Sequence, residues 1–461
     1  MKYKMAARSR VVRTFVLALG GIALSTMALA SETARTTESF VDSIGVCTHW
    51  GYGDTPYGYA YAQVKKALVD SGIRHLRDGF HGHIEELARL GVRSTVVAEP
   101  DAGSPAQLRD RIKAVNQKLP AVDAVEGPNE PDLFWVKNKK TYQGKGFPEG
   151  VVSFQKDLYS TLKGDPATKN LTVIGPALGK TYDPGGGFPN PFTSGLLTDS
   201  VDWGNFHPYP GGNPFSVPFS YGTLSKYYWS GTFPSANLDE FPYALNTYRP
   251  AFAPKPMCAT ETGYSTFYDG QSEAVHAKYI PRLFAEYFRL GIKRTYSYEF
   301  IDEFADEAGT NREAHFGLLR RNLTPKPAYT AIRNLIQLLG EPKIQVGFRP
   351  GKLDFQLDVK PSGDYTKTQY VHHLLLQKSN GDFYLLLWHE ISNEDASVHP
   401  HRQITPPEMP VTVTVTTPLN KAELYVPNDS TQSTQSWPDH PTTISLNVPD
   451  RLIILRLSPR E

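Results

Sequence analysis

Short apolar runs rich in β-branched residues recur along the first three quarters of the chain, and amphipathic stretches separate them. The runs are residues 43–50, 75–80, 94–100, 124–131, 171–179, 201–210, 256–264 and 294–302. In residues 61–71, apolar Val64, Ala67 and Leu68 follow helical spacing. Similar stretches occupy residues 106–118, 151–163, 273–290 and 326–339. Eight strand–helix units across residues 43–340 predict an α/β fold, a (β/α)8 TIM barrel.

A doubly wound open sheet is the competing architecture for alternating strands and helices. Such a sheet usually has fewer strands, and its first strand commonly leads into a glycine-rich phosphate loop. No such loop follows residues 43–50. The barrel is therefore the favoured architecture.

The pattern changes after Gly340, where strand-like segments follow one another without helices between them. Residues 374–377 and 383–388 flank Asn380-Gly381, a dipeptide typical of tight β-hairpins. Further strand-like segments are residues 411–416, 421–426, 442–448 and 452–457. Residues 341–461 are therefore predicted to form an antiparallel β-sandwich. Residues 31–42, which precede the first barrel strand, could add a strand to it.

Charge and the N-terminus limit the partners and the location of the protein. Lys plus Arg number 48 and Asp plus Glu number 47, so no basic field exists to attract nucleic acid or an anionic membrane. Residues 1–30 have the organisation of a signal peptide, with a basic beginning, an apolar run at residues 15–24 and small residues before Ser31. We expect cleavage near Ala30-Ser31 and a secreted or periplasmic protein without membrane contact. An uncleaved membrane anchor is the alternative.

The chain has two cysteines, Cys47 and Cys258, each on a predicted barrel strand. If Glu261 faces the barrel mouth, alternation along its strand places Cys258 on the outer face. Cys47 shares a face with His49, which we expect to point inward. Opposed faces favour two free, buried thiols over a disulfide.

Two glutamates stand at the ends of apolar runs, where the carboxyl ends of barrel strands form a cleft. Glu130 lies in Gly127-Pro128-Asn129-Glu130-Pro131, and Glu261 lies in Thr260-Glu261-Thr262-Gly263. Glycoside hydrolysis needs two carboxyl groups, one to protonate the leaving oxygen and one to attack the anomeric carbon or to activate water. Two glutamates at the tips of the fourth and seventh strands therefore indicate a two-carboxylate glycosidase.

These motifs resemble those of the clan A glycoside hydrolases, and the added sandwich is similar to that of glycoside hydrolase family 39 and its relatives. The resemblance implies that Glu130 is the general acid/base and that Glu261 is the nucleophile of a retaining enzyme. It also implies that Asn129 hydrogen-bonds the sugar hydroxyl next to the anomeric carbon. The expected partner is an oligosaccharide or polysaccharide, and no cofactor is expected.

Further residues are expected to support the nucleophile. Residues 205–209 end the sixth strand and match the clan's frequent His and Tyr at this place. We expect His207 or Tyr209 to contact Glu261 and hold its orientation. Arg77, on the second strand, is the expected cation that keeps the pKa of this carboxyl low.

One departure from the clan concerns the eighth strand. Many members have Trp near its tip, whereas this chain has Glu299 there. We expect Glu299 at the mouth, either as a ligand of a sugar hydroxyl or as the partner of an arginine. His49 and Asp78 are further candidates for sugar contacts.

Aromatic side chains at strand tips could stack on sugar rings, whose axial C–H bonds form an apolar surface. The candidates are Trp50, Tyr52, Tyr57, Phe80, Trp135, Tyr209 and Tyr264. Trp50 and Trp135 are the first choices, and core packing is the alternative for each of these residues.

Two other functions compete with the glycosidase. A carbohydrate-binding barrel without catalysis is one, although binding alone requires no second carboxylate. A metal-dependent barrel hydrolase is the other, because His81-Gly82-His83 has ligand-like spacing. Such enzymes usually take a His-x-His pair from the first strand, which offers only His49, so no metal is expected.

Overall fold

The computed structural model describes residues 30–182, 187–214, 240–341, 343, 345 and 347–460. The predicted signal peptide lies outside the described residues except for its last residue. Within the described ranges, no helix is long and apolar enough to cross a membrane.

Eight parallel strands form the barrel, as the apolar pattern predicted. After two short strands, β1 (Ala30–Thr33) and β2 (Arg35–Thr36), the barrel strands are β3 (Ile44–Cys47), β4 (His75–Asp78), β5 (Arg93–Val97), β6 (Val122–Glu126), β7 (Thr172–Ile174), β8 (Gly204–Phe206), β9 (Met257–Thr262) and β10 (Thr295–Ser297). They neighbour one another in chain order, with β10 beside β3. A parallel bridge between Ile174 and Trp203 joins β7 to β8 and closes the barrel.

Helices follow most of these strands and cover the barrel. They are α1 (Thr37–Val41), α2 (Pro56–Tyr59), α3 (Tyr61–Ser71), α4 (Ile84–Arg89), α5 (Pro105–Val115), α6 (Pro131–Asn138), α7 (Glu149–Lys163), α8 (Glu240–Tyr248), α9 (Glu273–Arg289) and α10 (Pro327–Leu339). Helix α5 begins at a capping box in which Ser104 and Gln107 exchange hydrogen bonds. Helix α3 ends at Gly72, whose φ of 76° suits a residue without a side chain.

The C-terminal part forms the predicted antiparallel sandwich. Its strands are β11 (Lys352–Val359), β12 (Val371–Gln377), β13 (Phe383–His389), β14 (Glu394–Asp395), β15 (Arg402–Gln403), β16 (Met409–Val415), β17 (Leu419–Tyr425), β18 (Ser433–Trp437), β19 (Thr443–Val448) and β20 (Ile453–Pro459). One sheet of the sandwich has the order β1-β11-β16-β19 and the other β18-β17-β20-β13-β12-β2, while β14 and β15 pair with each other in a separate two-stranded sheet. The two N-terminal strands therefore each extend one sheet of the sandwich.

The barrel and the sandwich share a buried interface. Leu374, Leu386 and Trp388 of the sandwich belong to the same apolar cluster as the barrel core. Arg282 of α9 is fully buried there and forms an ion pair with Glu390 at 3.0 Å. It also donates to the backbone oxygens of Asp450 and Ile391. A buried charge requires such partners, so this arginine fixes how the two units meet.

Cys47 and Cys258 are free and buried, as expected. The Cys47 thiol donates to the backbone oxygen of Thr260 at 3.3 Å, and the Cys258 thiol donates to that of Gly204 at 3.4 Å. Burial raises the pKa of both thiols well above its usual value, so both remain protonated.

Replacing Arg282 by alanine should lower the free energy of unfolding by about 3–5 kcal/mol, because it leaves the buried carboxylate of Glu390 without its cation. Urea unfolding followed by circular dichroism measures the change. Arg402→Ala is the control, because Arg402 pairs with Asp395 at 2.6 Å but is 68% exposed. The free energy of unfolding of Arg402→Ala should fall by less than about 1 kcal/mol. Equal losses in the two variants would contradict the role of Arg282.

Candidate active site

The carboxyl ends of four barrel strands bring polar side chains to one cleft. Arg77 lies on β4, Glu130 follows β6, His207 and Tyr209 follow β8, and Glu261 lies on β9. Parallel strands in a barrel all end at the same face, so residues far apart in sequence meet there. This convergence joins five of the residues that the sequence singled out.

Arg77 is the centre of this arrangement. Its guanidinium is buried and donates to Glu126 at 2.5 and 2.9 Å, to Asn129 Oδ1 at 2.7 Å and to Glu261 at 2.6 Å. Burial alone would lower the pKa of Arg77, but the charges of Glu126 and Glu261 outweigh it and raise the pKa well above its usual value. The expected cation beside the nucleophile candidate is therefore present and permanently charged.

Glu261 is held as a carboxylate by three groups. One oxygen accepts from Arg77, and the other accepts from the Tyr209 hydroxyl at 2.9 Å and lies 3.7 Å from His207 Nδ1. Burial opposes ionisation, but the charges of His207 and Arg77 and the hydrogen bond from Tyr209 outweigh it, so the pKa of Glu261 lies below its usual value. Of the two residues expected to contact Glu261, Tyr209 makes the hydrogen bond.

His207 connects the two candidate catalytic carboxyls. Its Nδ1 lies 2.8 Å from Glu130 Oε1, and its Nε2 lies 3.0 Å from Thr260 Oγ1. Burial would lower the pKa of His207, but the charge of Glu261 and the contact with Glu130 outweigh this and raise it. One oxygen of Glu130 and one of Glu261 lie within 4.8 Å of each other.

The backbone at Glu130 aims its side chain into the cleft. Glu130 has φ 41° and ψ 53°, in the left-handed region, directly before Pro131 opens helix α6. A non-glycine residue persists there only when its surroundings hold it. Asp132 accepts hydrogen bonds from the backbone N–H of Gly179 and Lys180 at 2.8 and 2.9 Å. A Cβ on Gly179 would lie 2.8 Å from the Glu130 carboxyl carbon, so only glycine leaves room for this carboxyl.

Glu126 and Asn129 both accept from Arg77, but they differ in their burial. Glu126 is fully buried beneath the cleft, where Thr260 Oγ1 donates to it at 2.9 Å and Asn205 Nδ2 at 3.2 Å. It therefore lies out of reach of a substrate. Asn129 is half-buried, and because its oxygen accepts from Arg77, its amide N–H2 points away from that guanidinium. Among the described residues, no side chain accepts from this amide group.

The eighth strand differs from expectation. Glu299 is fully buried, not in a sugar-facing position, and its partner is a histidine rather than an arginine. His49 Nδ1 lies 3.2 Å from Glu299 and 2.5 Å from Glu303. Burial and the neighbouring Glu303 raise the pKa of Glu299 well above its usual value, while the two carboxyl groups raise that of His49 despite its burial. The sequence analysis did not single out Glu303, which lies in the same irregular segment after β10 as Glu299.

Asp78 and Glu99 accept hydrogen bonds from backbone N–H groups of the loops at the carboxyl ends of the barrel strands. Asp78 accepts from Thr48 Oγ1 at 3.0 Å, from the Trp50 N–H at 2.7 Å and from the Gly79 N–H at 2.6 Å. Burial raises the pKa of Asp78 to about 6. Both oxygens are thus occupied by protein donors, which does not favour the expected sugar contact. Glu99 accepts from the Asn129 N–H at 2.9 Å; the sequence analysis did not single it out, although it directly precedes a proline at a strand end.

Four of the seven aromatic candidates are buried, which agrees with the core-packing alternative for them. Trp50 is 5% exposed, Tyr57 0%, Trp135 1% and Tyr264 2%, so none offers a face to a sugar ring. Trp135 lies on helix α6 and donates to Glu99, and Tyr264 packs on Tyr279. Large aromatic side chains near a strand tip gain more from burial in the core than from exposure.

Other aromatic side chains border the cleft. Tyr209 and Tyr298 are partly exposed, and both pack edge-on against the buried ring of Phe316, with centroid separations of 5.9 and 5.3 Å. Tyr52 is 45% exposed and stacks on His49 with a centroid separation of 4.7 Å. The sequence named Tyr52 and Tyr209 but missed Tyr298 and Phe316, which come from the eighth strand and the loop after it.

Solved structures share this architecture. No protein-family model matches the sequence, and no curated protein is similar to it in sequence. A family 39 glycoside hydrolase from the gut symbiont Bacteroides cellulosilyticus WH2 is 17% identical with a TM-score of 0.57, over 92% of this chain and 82% of that chain. A GH39 enzyme from Xanthomonas axonopodis pv. citri is 15% identical with a TM-score of 0.52, over 93% and 96%. A glucosidase from Croceicoccus marinus is 10% identical with a TM-score of 0.53, over 94% and 98%.

These likenesses establish the fold. The chain has the same barrel-plus-sandwich fold as these solved glycoside hydrolase structures, as the motif resemblance implied. At such identities the roles of individual residues rest on the geometry of the cleft rather than on the likeness.

The pKa of Glu261 should lie below the usual glutamate value, and Tyr209→Phe should raise it, because the lost hydroxyl no longer stabilises the carboxylate. Carbon NMR of protein labelled at the glutamate carboxyl carbons follows the titration, and Glu261→Gln assigns the resonance. Tyr268→Phe is the control, since Tyr268 is 61% exposed on the loop after β9. An unchanged pKa in Tyr209→Phe would contradict the assigned contact.

Proposed function

We propose that the protein is a retaining glycoside hydrolase that cleaves O-glycosidic bonds in oligosaccharides or polysaccharides by double displacement. The observation that carries the proposal is the separation of Glu130 and Glu261, which have carboxyl oxygens within 4.8 Å of each other. Retaining enzymes place their carboxyl groups about 5–5.5 Å apart, whereas inverting enzymes leave about 6.5–9.5 Å for a water molecule. The pair is spaced for direct attack on the sugar.

In the first step, the carboxylate of Glu261 attacks the anomeric carbon and the glycosidic C–O bond breaks. Glu130 gives its proton to the departing oxygen, so the leaving group departs as a neutral alcohol. Arg77 and Tyr209 keep Glu261 ionised and oriented before the attack. His207 contacts Glu130 through Oε1, which leaves Oε2 to carry the transferred proton.

In the second step, water enters from the side that the leaving group has vacated. Glu130, now a carboxylate, takes a proton from this water, and the resulting oxygen attacks the anomeric carbon. The ester bond to Glu261 breaks and the carboxylate is regenerated beside Arg77. Two successive inversions retain the configuration of the sugar.

Asn129 is suited to bind the substrate in both steps. Arg77 and the N–H contact to Glu99 fix the orientation of Asn129, so its free amide protons face the cleft at low entropic cost. We assign them to the sugar hydroxyl beside the anomeric carbon, where a hydrogen bond strengthens in the transition state. The aromatic border of the cleft supports a saccharide substrate because aromatic side chains offer apolar faces to sugar rings.

We also propose that the protein acts outside the cytoplasm. The basic residues, the short apolar run and the small residues before Ser31 support export. Such a location suits an enzyme whose substrates include polysaccharides too large to be taken up intact.

The two glutamates should respond differently to alanine substitution. Glu261→Ala should abolish turnover of every aryl glycoside, because no covalent intermediate forms. Glu130→Ala should lower kcat by about 10²–10⁴-fold on glycosides with poor leaving groups. The loss should be much smaller on dinitrophenyl glycosides, which need no proton to depart. Steady-state kinetics on a panel of aryl glycosides measure both effects.

Glu149→Gln is the control for this comparison, since Glu149 is exposed in the first turn of α7. It should leave kcat unchanged. Full activity in Glu261→Ala would remove Glu261 as the nucleophile, and no activity of the unmodified protein on any glycoside would remove the proposed function.

The stereochemical outcome provides a second test. The first sugar released should have the same anomeric configuration as the substrate, because carboxyl oxygens within 4.8 Å of each other favour double displacement. Proton NMR during the first minutes of hydrolysis, before mutarotation, distinguishes the two anomers. Release of the opposite anomer would show that a water molecule attacks directly.

A further inference from the structure

A group of three possible metal ligands lies at the junction of the barrel and the sandwich. Asp269 stands in the loop between β9 and α9, and His399 and His401 stand between β14 and β15. One possible ligand atom of each lies within 4.8 Å of those of the other two. We call these three residues the junction cluster.

The contacts within the junction cluster already join the two units. His399 Nδ1 lies 2.5 Å from Asp269 Oδ1, and the two imidazole rings are 5.9 Å apart between centroids. The side chain of His399 is 48% exposed and that of Asp269 is 36% exposed, whereas that of His401 is only 9% exposed. The cluster is therefore open to solvent on one side and packed on the other.

A second carboxylate orients His401. Glu394 is buried and lies 3.2 Å from His401 Nδ1, while its other oxygen accepts from Gln271 Nε2 at 2.8 Å. Among the described residues, His401 Nε2 has no hydrogen-bonding partner. Metal-binding histidines characteristically use one ring nitrogen for the metal and donate the other N–H to a carboxylate. The buried, carboxylate-oriented ring thus has one nitrogen free for a ligand.

We propose that the junction cluster binds a divalent cation of the zinc type, with Asp269, His399 and His401 as protein ligands. Two imidazoles and one carboxylate suit Zn²⁺, while Ca²⁺ and Mg²⁺ prefer oxygen ligands alone. Ligands at 2.0–2.1 Å in a tetrahedron stand about 3.3 Å apart. All three residues belong to loops, so small side-chain rotations reach this spacing from separations within 4.8 Å. Water completes the coordination on the exposed side.

Three other groups of histidine and carboxylate side chains carry no such proposal. Two of them, around His207 and around His49, belong to the cleft already described. The third surrounds His372 in the domain interface, where Arg289 and Arg282 already neutralise its two glutamates. The junction cluster lacks an arginine or lysine partner among the described residues.

The proposed cation would connect the loop that follows Glu261 to the C-terminal sandwich. Asp269 and Gln271 lie on this loop, while Glu394, His399 and His401 belong to the β14–β15 hairpin of the C-terminal part. Metal binding would add a covalent-like link to contacts that are otherwise hydrogen bonds. The inference is independent of the proposed function, because its readout is metal binding rather than catalysis.

Calorimetric titration of the chelator-treated full-length protein with ZnCl₂ tests the proposal. One Zn²⁺ should bind per chain, and His399→Ala and His401→Ala should each weaken binding by at least about tenfold. Glu394→Gln should weaken it by about 10–100-fold without removing a ligand, because the orientation of His401 is lost. Cobalt should bind at the same place and give visible absorption typical of tetrahedral coordination.

His373→Ala is the matched control. His373 pairs with Glu32 at 2.8 Å and is 36% exposed, so it resembles His399 in exposure and in having a carboxylate partner. This control variant should bind Zn²⁺ as the unmodified protein does. Circular dichroism of each variant verifies folding. No binding by the unmodified protein, or equal loss of affinity in His399→Ala and His373→Ala, would overturn the proposal.

Discussion

The buried guanidinium of Arg77 is the interaction on which the cleft depends. A buried cation is tolerated only when several acceptors surround it, and Arg77 obtains them from Glu126, Asn129 and Glu261. Glu126 and Asn129 belong to β6 and the loop after it, whereas Glu261 lies on β9, so the cation links the ends of two barrel strands that must meet. It also places a fixed positive charge beside Glu261. The same contacts that stabilise the barrel mouth therefore set the ionisation state of the proposed nucleophile.

The C-terminal sandwich supports the cleft from the outside. Asn213, in the loop after β8, donates to Glu390 at 2.6 Å, and Gln271, in the loop after β9, donates to Glu394 at 2.8 Å. These two loops follow the strands that supply Tyr209 and Glu261. Since positioning within a fraction of an ångström decides catalytic efficiency, the sandwich contributes to the site without lining it.

The spacing of apolar residues predicted the barrel and the sandwich because it reflects whether a segment is a helix or a strand and which of its faces is buried. The side-chain environments were harder to predict. Trp50 and Trp135 were predicted to stack on sugar rings because they lie near strand ends, yet both side chains are buried in the core. Glu299 was expected at the barrel mouth as a ligand of a sugar hydroxyl or as the partner of an arginine, but its contact with His49, which Glu303 shares, depends on how the first and eighth strands meet. Sequence spacing carries no information on such lateral contacts.

The sequence by itself determined the order of strands and helices, the domain pattern and the two glutamates at strand tips. Only the tertiary structure decided which groups surround each carboxyl. It placed Tyr209 on Glu261, His207 between Glu261 and Glu130, and Glu126 beneath the cleft. The physical reason is that hydrophobic periodicity specifies which face of a segment is buried, while barrel closure and register specify its neighbours. Charge and hydrogen bonding act between those neighbours, so the chemistry of the cleft emerges only when the barrel closes.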